Sequence, residues 1–234
     1  MNRKLRILIV EDEPAIRTGL VDVLVYHGYE VETASDGVQG LALALGGTFD
    51  LVVLDVMLPG RNGFEICEAI REVDREQPIV MLTAKSTDAN VIQGLALGAD
   101  DYVTKPFSVA QLVLRVQAVL RRSRGGAARD GAIRLAGGVE IDARNLAART
   151  DGGEVRFTRR EMEVLQYLAE HDERPVSREE LLAKVWGYAR HLEIETRTVD
   201  IHVAKLRRKL EPDPSRPRHI VTVRGGGYRL ITEA

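Results

Sequence analysis

The first half of the chain alternates short apolar runs with stretches of helical periodicity. The runs are Ile7 to Val10, Tyr29 to Ala34, Leu51 to Leu54, Ile79 to Leu82 and Tyr102 to Thr104. Between them, apolar residues recur at intervals of three and four, as at Ile16, Leu20, Val23 and Leu24, which is the period of an amphipathic helix. The pattern predicts an α/β doubly wound, five-stranded parallel sheet with helices on both faces, closed by a helix over 109–122.

The second half has a different pattern. Short apolar pieces near 133–135, 139–141, 146–149 and 155–157 are separated by turn residues, which predicts a small antiparallel sheet. Three helices should follow. Two begin at Thr158 and Ser177, each in a capping box with a glutamate three residues on, Glu161 and Glu180, and the third covers 196–210. The closing segment HIVTVRGGGYRLI predicts a hairpin. SRGGAARDG, residues 123–131, predicts a flexible linker between domains 1–122 and 132–234.

Composition and charge narrow the function classes. The 234 residues include 44% hydrophobic and 29% charged residues, which suits two folded domains. The first apolar run is too short for a signal peptide or a membrane span, so we expect a cytoplasmic protein with no membrane partner. The single cysteine, Cys67, cannot form an intrachain disulfide. Residues 1–126 hold 13 Lys and Arg against 17 Asp and Glu, whereas residues 127–234 hold 20 against 18. This mild asymmetry favours an acidic metal-binding half and a nucleic-acid-binding half.

The unusual polar residues of the first half follow the predicted strands. Glu11 and Asp12 end the first strand, Asp55 ends the third, Thr83 the fourth and Lys105 the fifth. Ligands bind at this edge of an open parallel sheet. Three neighbouring acids need a cation, and an all-oxygen site suits Mg²⁺. A phosphoryl group on one carboxylate would then meet the metal ion, the Lys105 ammonium and the Thr83 hydroxyl.

Each of these residues also has a plainer explanation. An aspartate after a strand is usually a helix cap, a threonine in a strand is usually structural, and a lysine is usually a solvated charge. Tyr102 on the last strand would normally be half-buried packing. The functional interpretation depends on the whole set occurring together.

The helix over 196–210 separates into two faces. Val199, Val203, Leu206 and Leu210 form a core stripe. The opposite face holds Arg197, Ile201, Ala204, Lys205 and Arg208, which suits a helix in the DNA major groove, where Ile201 could touch thymine methyls. His202, Arg207 and Lys209 lie on the flanks, where phosphate contacts are expected. An ordinary solvated helix fits these basic residues too, but the hairpin adds Arg224 at a glycine-rich tip that could approach a minor groove.

Residues 5–122 resemble the receiver domains of two-component response regulators. The resemblance rests on LIVEDE, LVVLDVMLPGRNGFE, VMLTAK and GADDYVTKPF. It implies a flavodoxin-like fold in which Asp55 takes a phosphoryl group from a sensor histidine kinase. It also implies that Asp12, Asp55 and the carbonyl of Met57 hold Mg²⁺, with Glu11 helping through water. Thr83 and Tyr102 would be the switch pair, with Tyr102 rotating inward after phosphorylation.

Residues 132–232 resemble the winged-helix output domain of OmpR/PhoB-type regulators. The matching segments are FTRREMEVLQYL, VSREELLAKVWG, ETRTVDIHVAKLRRKLEP and IVTVRGGGYRL. The resemblance implies an α+β domain with 196–210 as the recognition helix, 220–230 as the wing, and the loop 187–195 offered to RNA polymerase. The family often has Arg where this chain has Ala204, so one DNA contact is expected to be missing.

The resemblance also implies a homodimer on phosphorylation, bound to direct repeats in promoter DNA. Active receivers of this family pair through their last two helices and last strand. This chain keeps Asp100, Asp101, Arg115 and Arg122 of that surface but has lost other charged partners, which predicts a weakened dimer.

Two other functions are considered beside this one. An aspartyl-phosphate phosphotransferase or phosphatase would need a second acid two residues after Asp55, where Met57 stands. A regulator that works without phosphorylation would not need the acid pair, Thr83 and Lys105. We therefore expect a phosphorylation-dependent transcription regulator that is not an enzyme beyond slow self-dephosphorylation.

Overall fold

The first compact unit, residues 1–125, is built on a parallel sheet. The computed structural model describes residues 3–84, 98–125, 132–150, 152–188 and 197–233. The strands of this unit are β1 (Arg6–Val10), β2 (Glu30–Ala34), β3 (Leu51–Asp55), β4 (Ile79–Ala84) and β5 (Asp101–Lys105). They pair in the order β2-β1-β3-β4-β5, all parallel, which is the flavodoxin-like order and confirms the predicted doubly wound sheet.

Four helices of this unit lie within the described residues. They are α1 (Pro14–Tyr26), α2 (Gly37–Gly46), α3 (Gly63–Val73) and α4 (Val109–Gly125). The central strands are buried along almost their whole length, as expected for strands covered by helices on both faces. α4 extends three residues beyond the predicted end at Arg122, into the segment expected to be a linker. Arg121, Arg122 and Arg124 explain this extension, because arginine favours helix and a cation stabilises a helix C-terminus.

The second unit, residues 126–234, begins with a four-stranded antiparallel sheet. Its strands are β6 (Ala132–Leu135), β7 (Val139–Asp142), β8 (Ala147–Thr150) and β9 (Gly153–Arg156), paired in sequence order. Three helices follow: α5 (Arg159–Ala169), α6 (Arg178–Leu181), which continues as a π-helical turn (Leu182–Trp186), and α7 (Arg197–Leu210). The hairpin of β10 (Ile220–Val223) and β11 (Gly227–Leu230) closes the chain, so the α+β winged-helix prediction is confirmed.

The capping predictions are confirmed at one helix and half confirmed at the other. At α5, Thr158 accepts from the backbone of Glu161 while the Glu161 carboxylate accepts from the backbone of Thr158. At α6, Ser177 accepts from the backbone of Glu180, but the Glu180 carboxylate binds Arg174 and the Tyr167 hydroxyl instead. The second helix therefore has a serine cap without the reciprocal glutamate bond.

Candidate functional site

The carboxyl ends of β1, β3 and β5 bring the predicted acidic residues and Lys105 together. β1 lies between β2 and β3, so the order of strands reverses at this point and leaves a crevice beyond the strand ends. The Lys105 ammonium lies 2.8 Å from Asp55 Oδ2 and 2.9 Å from Glu11 Oε1. Residues that are 94 and 50 positions apart in sequence therefore meet in one cluster.

Burial makes the charges of this cluster interdependent. Glu11 and Asp55 are almost fully buried, whereas Asp12 is exposed. Burial raises the pKa of Glu11, and the charge of Asp55 raises it further against the opposing bond from Lys105. Burial also opposes the charge of Lys105, but its bonds to Asp55 and Glu11 outweigh that effect and raise its pKa. Lys105 therefore stays a cation that holds two carboxylates in place.

The three acids suit a divalent cation. One carboxylate oxygen from each of Glu11, Asp12 and Asp55 lies within 4.8 Å of the others. An all-oxygen set with one exposed member matches the preference of Mg²⁺ for carboxylates and retained water. Met57 is exposed beside them, and its backbone N–H donates to Asp55 Oδ1 at 3.4 Å.

Arg17 is a member of the site that the sequence interpretation missed. This α1 residue donates from Nη1 to the carbonyls of Glu11 at 2.6 Å and Asp12 at 3.0 Å. It thereby fixes the backbone of the acid pair against α1. An arginine in the first turns of a helix is too common on surfaces to have signalled this contact from sequence.

Thr83 and Tyr102 lie on the neighbouring strands β4 and β5. Thr83 is buried and pairs with Thr104, and Tyr102 pairs with Met81. Tyr102 is also buried, and burial raises the pKa of its phenol well above the ordinary value. Their role as a switch stays a prediction.

The three described residues expected at a dimer surface are buried within the chain. Asp100 binds Arg71 on α3 at 3.0 Å, and Asp101 binds Arg115 on α4 at 2.9 Å. Both acids lie at the start of β5 and pair with arginines of the packed helices, and the pairing of these groups across a two-fold axis stays a prediction. The side chain of Arg122 lies outside the described residues.

The exposed face of α7 is narrower than the sequence predicts. Ala204 and Arg208 are exposed as expected, whereas Ile201 and Lys205 are 8% and 4% exposed. α7 packs against α5, α6 and the hairpin, so more than one stripe of the helix is covered. Ile201 and Lys205 were wrongly placed on the open face. The side chain of Arg197 and the loop 189–196 lie outside the described residues.

Two expected phosphate contacts on α7 have partners within the protein. His202 is fully buried, with its ring edge-on to Trp186 at 5.1 Å and its Nδ1 2.9 Å from the carbonyl of Thr198, so its prediction as a phosphate contact is wrong. Arg207 donates to the carbonyl of Ile220 at 2.6 Å and to the hydroxyl of Thr222 at 2.8 Å. Its guanidinium ties α7 to the hairpin, and its contact with DNA phosphate stays a prediction.

The hairpin tip agrees with the sequence interpretation. Arg224 is exposed, and the glycines beside it adopt conformations that a side chain would oppose. Gly227 has φ +103°, and a Cβ there would lie 2.1 Å from the carbonyl oxygen of Val176. The tip therefore presents Arg224 to solvent while Gly227 packs the hairpin against the segment before α6.

The fold and the two sites define a response regulator with a receiver and a DNA-binding output domain. The family model described as "Response regulator receiver domain" matches residues 7–117, and "Transcriptional regulatory protein, C terminal" matches residues 152–230. The chain belongs to this family, with an output domain of the OmpR/PhoB type, and is a phosphorylation-dependent transcription regulator. The alternatives of a phosphatase and of a phosphorylation-independent regulator are not favoured.

The alignments with particular relatives cover nearly the whole chain. The probable transcriptional regulator ycf27 of Guillardia theta is 42% identical over 233 residues, which are 97% of this chain and 91% of the relative. Among solved structures, response regulator DrrB, an OmpR/PhoB homologue of Thermotoga maritima, is 34% identical, with 98% and 100% of the two chains covered and a TM-score of 0.52. A mutant of RitR is 27% identical, with 97% and 98% covered and a TM-score of 0.71.

Among the helices that the structure describes, none is long and apolar enough to span a bilayer.

Proposed function

We propose that Asp55 is the phosphoryl acceptor and that a sensor histidine kinase is the donor. The observation that supports this most directly is the contact of the buried Asp55 carboxylate with Lys105 at 2.8 Å, beside Glu11 and Asp12. A carboxylate oxygen of Asp55 attacks the phosphorus of a phosphohistidine, the phosphorus–nitrogen bond breaks, and the imidazole leaves with its electron pair. The product is a mixed anhydride on Asp55.

The surrounding residues stabilise the charge that this transfer moves into the site. Mg²⁺, held by Asp12, Asp55 and the carbonyl of Met57 with Glu11 helping through water, would neutralise charge on the phosphoryl oxygens. Lys105 stays charged and can follow an incoming oxygen from its present position between Asp55 and Glu11. The Thr83 hydroxyl supplies a donor for another oxygen, and Arg17 keeps the acid pair in place. Slow hydrolysis of the anhydride resets the protein.

The labelling test compares two aspartates at opposite ends of β3. Purified full chain is incubated with radiolabelled acetyl phosphate and Mg²⁺. Asp55→Asn should abolish the label because an amide cannot form the anhydride. Asp50→Asn is the matched control, since Asp50 precedes β3 and binds Arg3 and the backbone of Arg6. Stoichiometric label on Asp55→Asn would refute the assignment. Wild-type label without Mg²⁺ would refute the metal site.

We further propose that α7 enters the major groove of promoter DNA and that Arg224 approaches an adjacent minor groove. Ala204 and Arg208 form the described exposed part of the α7 face, with Arg197 two turns before Ala204 in sequence. A homodimer on direct repeats and a contact of the loop 187–195 with RNA polymerase belong to the same proposal. Footprinting on genomic DNA with and without acetyl phosphate tests it: protection that is unchanged by phosphodonor would contradict the coupling of Asp55 to DNA binding.

A further inference from the structure

Three side chains from three different elements meet at the N-terminal end of α7. Arg178 is the first residue of α6, Asp200 lies in the first turn of α7, and Tyr228 lies in β11. The Tyr228 hydroxyl donates to Asp200 Oδ1 at 2.5 Å, and Arg178 Nε donates to the same oxygen at 2.6 Å. Arg178 also donates to the Tyr228 hydroxyl at 3.1 Å, so the three groups form a closed ring of hydrogen bonds.

The backbone fixes Tyr228 in this position. Its N–H donates to the carbonyl of Val176 at 2.9 Å, and the N–H of Val176 donates to the carbonyl of Tyr228 at 2.7 Å. Gly227 makes the approach possible, because any side chain there would collide with Val176. The ring of Tyr228 is buried, with the Arg178 guanidinium 4.8 Å from its centroid. Burial and the bond to Asp200 raise the pKa of Tyr228 to about 12, so its hydroxyl remains a donor at physiological pH.

Asp200 is an acid close to the surface that faces DNA. Its side chain is 41% exposed, and it precedes the exposed Ala204 by one turn and Arg208 by two. An acid there would repel phosphates. The ring of bonds places a cation against Asp200, which offsets its charge, and directs Asp200 toward the hairpin.

Other contacts between α7 and the hairpin involve the C-terminal half of the helix, where the Arg207 guanidinium also lies 5.6 Å from the centroid of the Tyr228 ring. Arg207 binds Ile220 and Thr222 of β10, and the Glu211 carboxylate accepts from the backbone N–H groups of Arg218, His219 and Ile220. Asp200 is seven residues before Arg207, about 10 Å along the helix axis. Contacts at one end alone would leave the hairpin able to pivot against α7, whereas a second contact at the other end fixes the angle.

We propose that Arg178 and Tyr228 are positioning residues for DNA recognition: through Asp200 they fix the angle between α7 and the hairpin. The two elements can then enter adjacent grooves together. This inference rests on the proposed contacts of α7 and Arg224 with DNA. It assigns to three residues outside the predicted DNA contacts a role in specificity, because a pivoting hairpin can still bind phosphates but cannot align both elements with a particular sequence.

The test removes one hydroxyl and leaves the aromatic ring. Full chain treated with beryllium fluoride is measured by fluorescence anisotropy on duplexes that the wild type selects from a random library, and on a scrambled duplex. Tyr228→Phe should weaken binding to the selected duplex about tenfold, the value of one hydrogen bond to a charged group, and change binding to the scrambled duplex less than about twofold. Tyr167→Phe is the matched control, because it removes a hydroxyl that donates to Glu180 in the same domain.

The binding measurements can overturn either the role of Tyr228 or the proposed DNA recognition itself. Equal preference for the selected duplex in Tyr228→Phe and Tyr167→Phe overturns the proposal. If the wild type selects no sequence, the proposed DNA recognition has failed before any variant is compared, and the inference fails with it. If Tyr228→Phe does not fold by circular dichroism, Arg178→Lys takes its place: it keeps the charge but cannot bridge Asp200 and Tyr228, and the same loss of preference is expected.

A distance measurement separates positioning from a simple loss of stability. Nitroxide labels on Ala204→Cys and Arg224→Cys report the spread of distances between α7 and the hairpin tip in the DNA-free chain, and the native Cys67 is fully buried. Tyr228→Phe should broaden the distribution, and Tyr167→Phe should leave it as in the wild type. An unchanged distribution in Tyr228→Phe would show that the hairpin is held without this ring of bonds.

Discussion

Arg71 is expected to be the most costly single charge to remove from the receiver domain. This α3 side chain is 9% exposed and donates to Asp100 at 3.0 Å. It also donates to the carbonyls of Gly98, Asp74 and Gln77, at 2.9, 3.2 and 2.6 Å. Asp100 in turn accepts from the backbone N–H of Ile79 at 2.8 Å. Arg71 therefore joins the end of α3 to the starts of β4 and β5.

Arg71→Met keeps the length of the side chain and removes all four bonds. Breaking a buried ion pair by removal of one partner costs about 3–5 kcal/mol, because the remaining charge stays in a poorly solvated position. The matched control is Arg3→Met. Arg3 also pairs with an aspartate, Asp50, but is 60% exposed, so its loss should cost only about 0.2–1 kcal/mol. Arg71→Lys should be intermediate, since an ammonium cannot reproduce the planar set of donors.

Urea unfolding of the full chain measures this effect. The single tryptophan, Trp186, lies in the second unit, so its fluorescence reports that unit while far-ultraviolet circular dichroism reports both. Arg71→Met should shift the receiver component of the dichroism transition to lower urea and leave the fluorescence transition in place. A loss below about 1 kcal/mol would refute the reasoning, because it would mean that Arg71 contributes no more than an exposed ion pair.

Two further predictions concern the DNA-binding domain, both followed by Trp186 fluorescence in urea. The paired bonds from Arg174 lower the pKa of Glu180 to about 2, below its unfolded value of 4.5, so its stabilisation is present above pH 4.5 and disappears as pH falls toward 2. Because Arg174 is 42% exposed, Glu180→Gln should lower the free energy of unfolding by only about 1 kcal/mol at pH 7. The unfolding free energies of the wild type and the variant should converge near pH 2. A difference that stays constant with pH would contradict the pKa assignment. Gly227→Ala should lower the free energy of unfolding by about 3 kcal/mol or more, because of its positive φ and the collision with Val176. Gly225→Ala, at φ +72° with open space around it, should lower it by about 1–2 kcal/mol. Equal losses would show that the hairpin shifts to relieve the collision.

The receiver fold and its acidic cluster could be predicted from sequence for a geometric reason. In a parallel sheet, all strands end at the same edge, so residues that directly follow apolar runs must lie near one another. Asp55 and Lys105 are 50 residues apart and still meet at 2.8 Å because β3 and β5 run in the same direction. Arg17 could not be predicted this way, since its role depends on where a helix side chain reaches and not on where a strand ends.

Charged residues on packed elements were harder to interpret. A helical periodicity identifies the most apolar stripe of α7, but it does not show how many other elements cover the remaining surface. His202 and Lys205 are polar residues but are buried in the structure, and Arg207 donates hydrogen bonds to the hairpin. Likewise, Asp101 and Arg115 match the family's surface ion-pair pattern, and the structure shows that they also pair with each other within the chain.

The same ambiguity explains why the ring of Arg178, Asp200 and Tyr228 could not be seen in the sequence. Each residue lies in a different element, and in a linear pattern each resembles an ordinary residue of its element: a first-turn arginine, a first-turn acid and a strand tyrosine. Their meeting follows from two backbone bonds between Tyr228 and Val176, which only a glycine at position 227 allows. A basic helix and a glycine-rich tip in sequence indicate which elements could contact DNA. The fixed angle that would let α7 and the hairpin contact it together depends on contacts between elements, and only the folded chain reveals those.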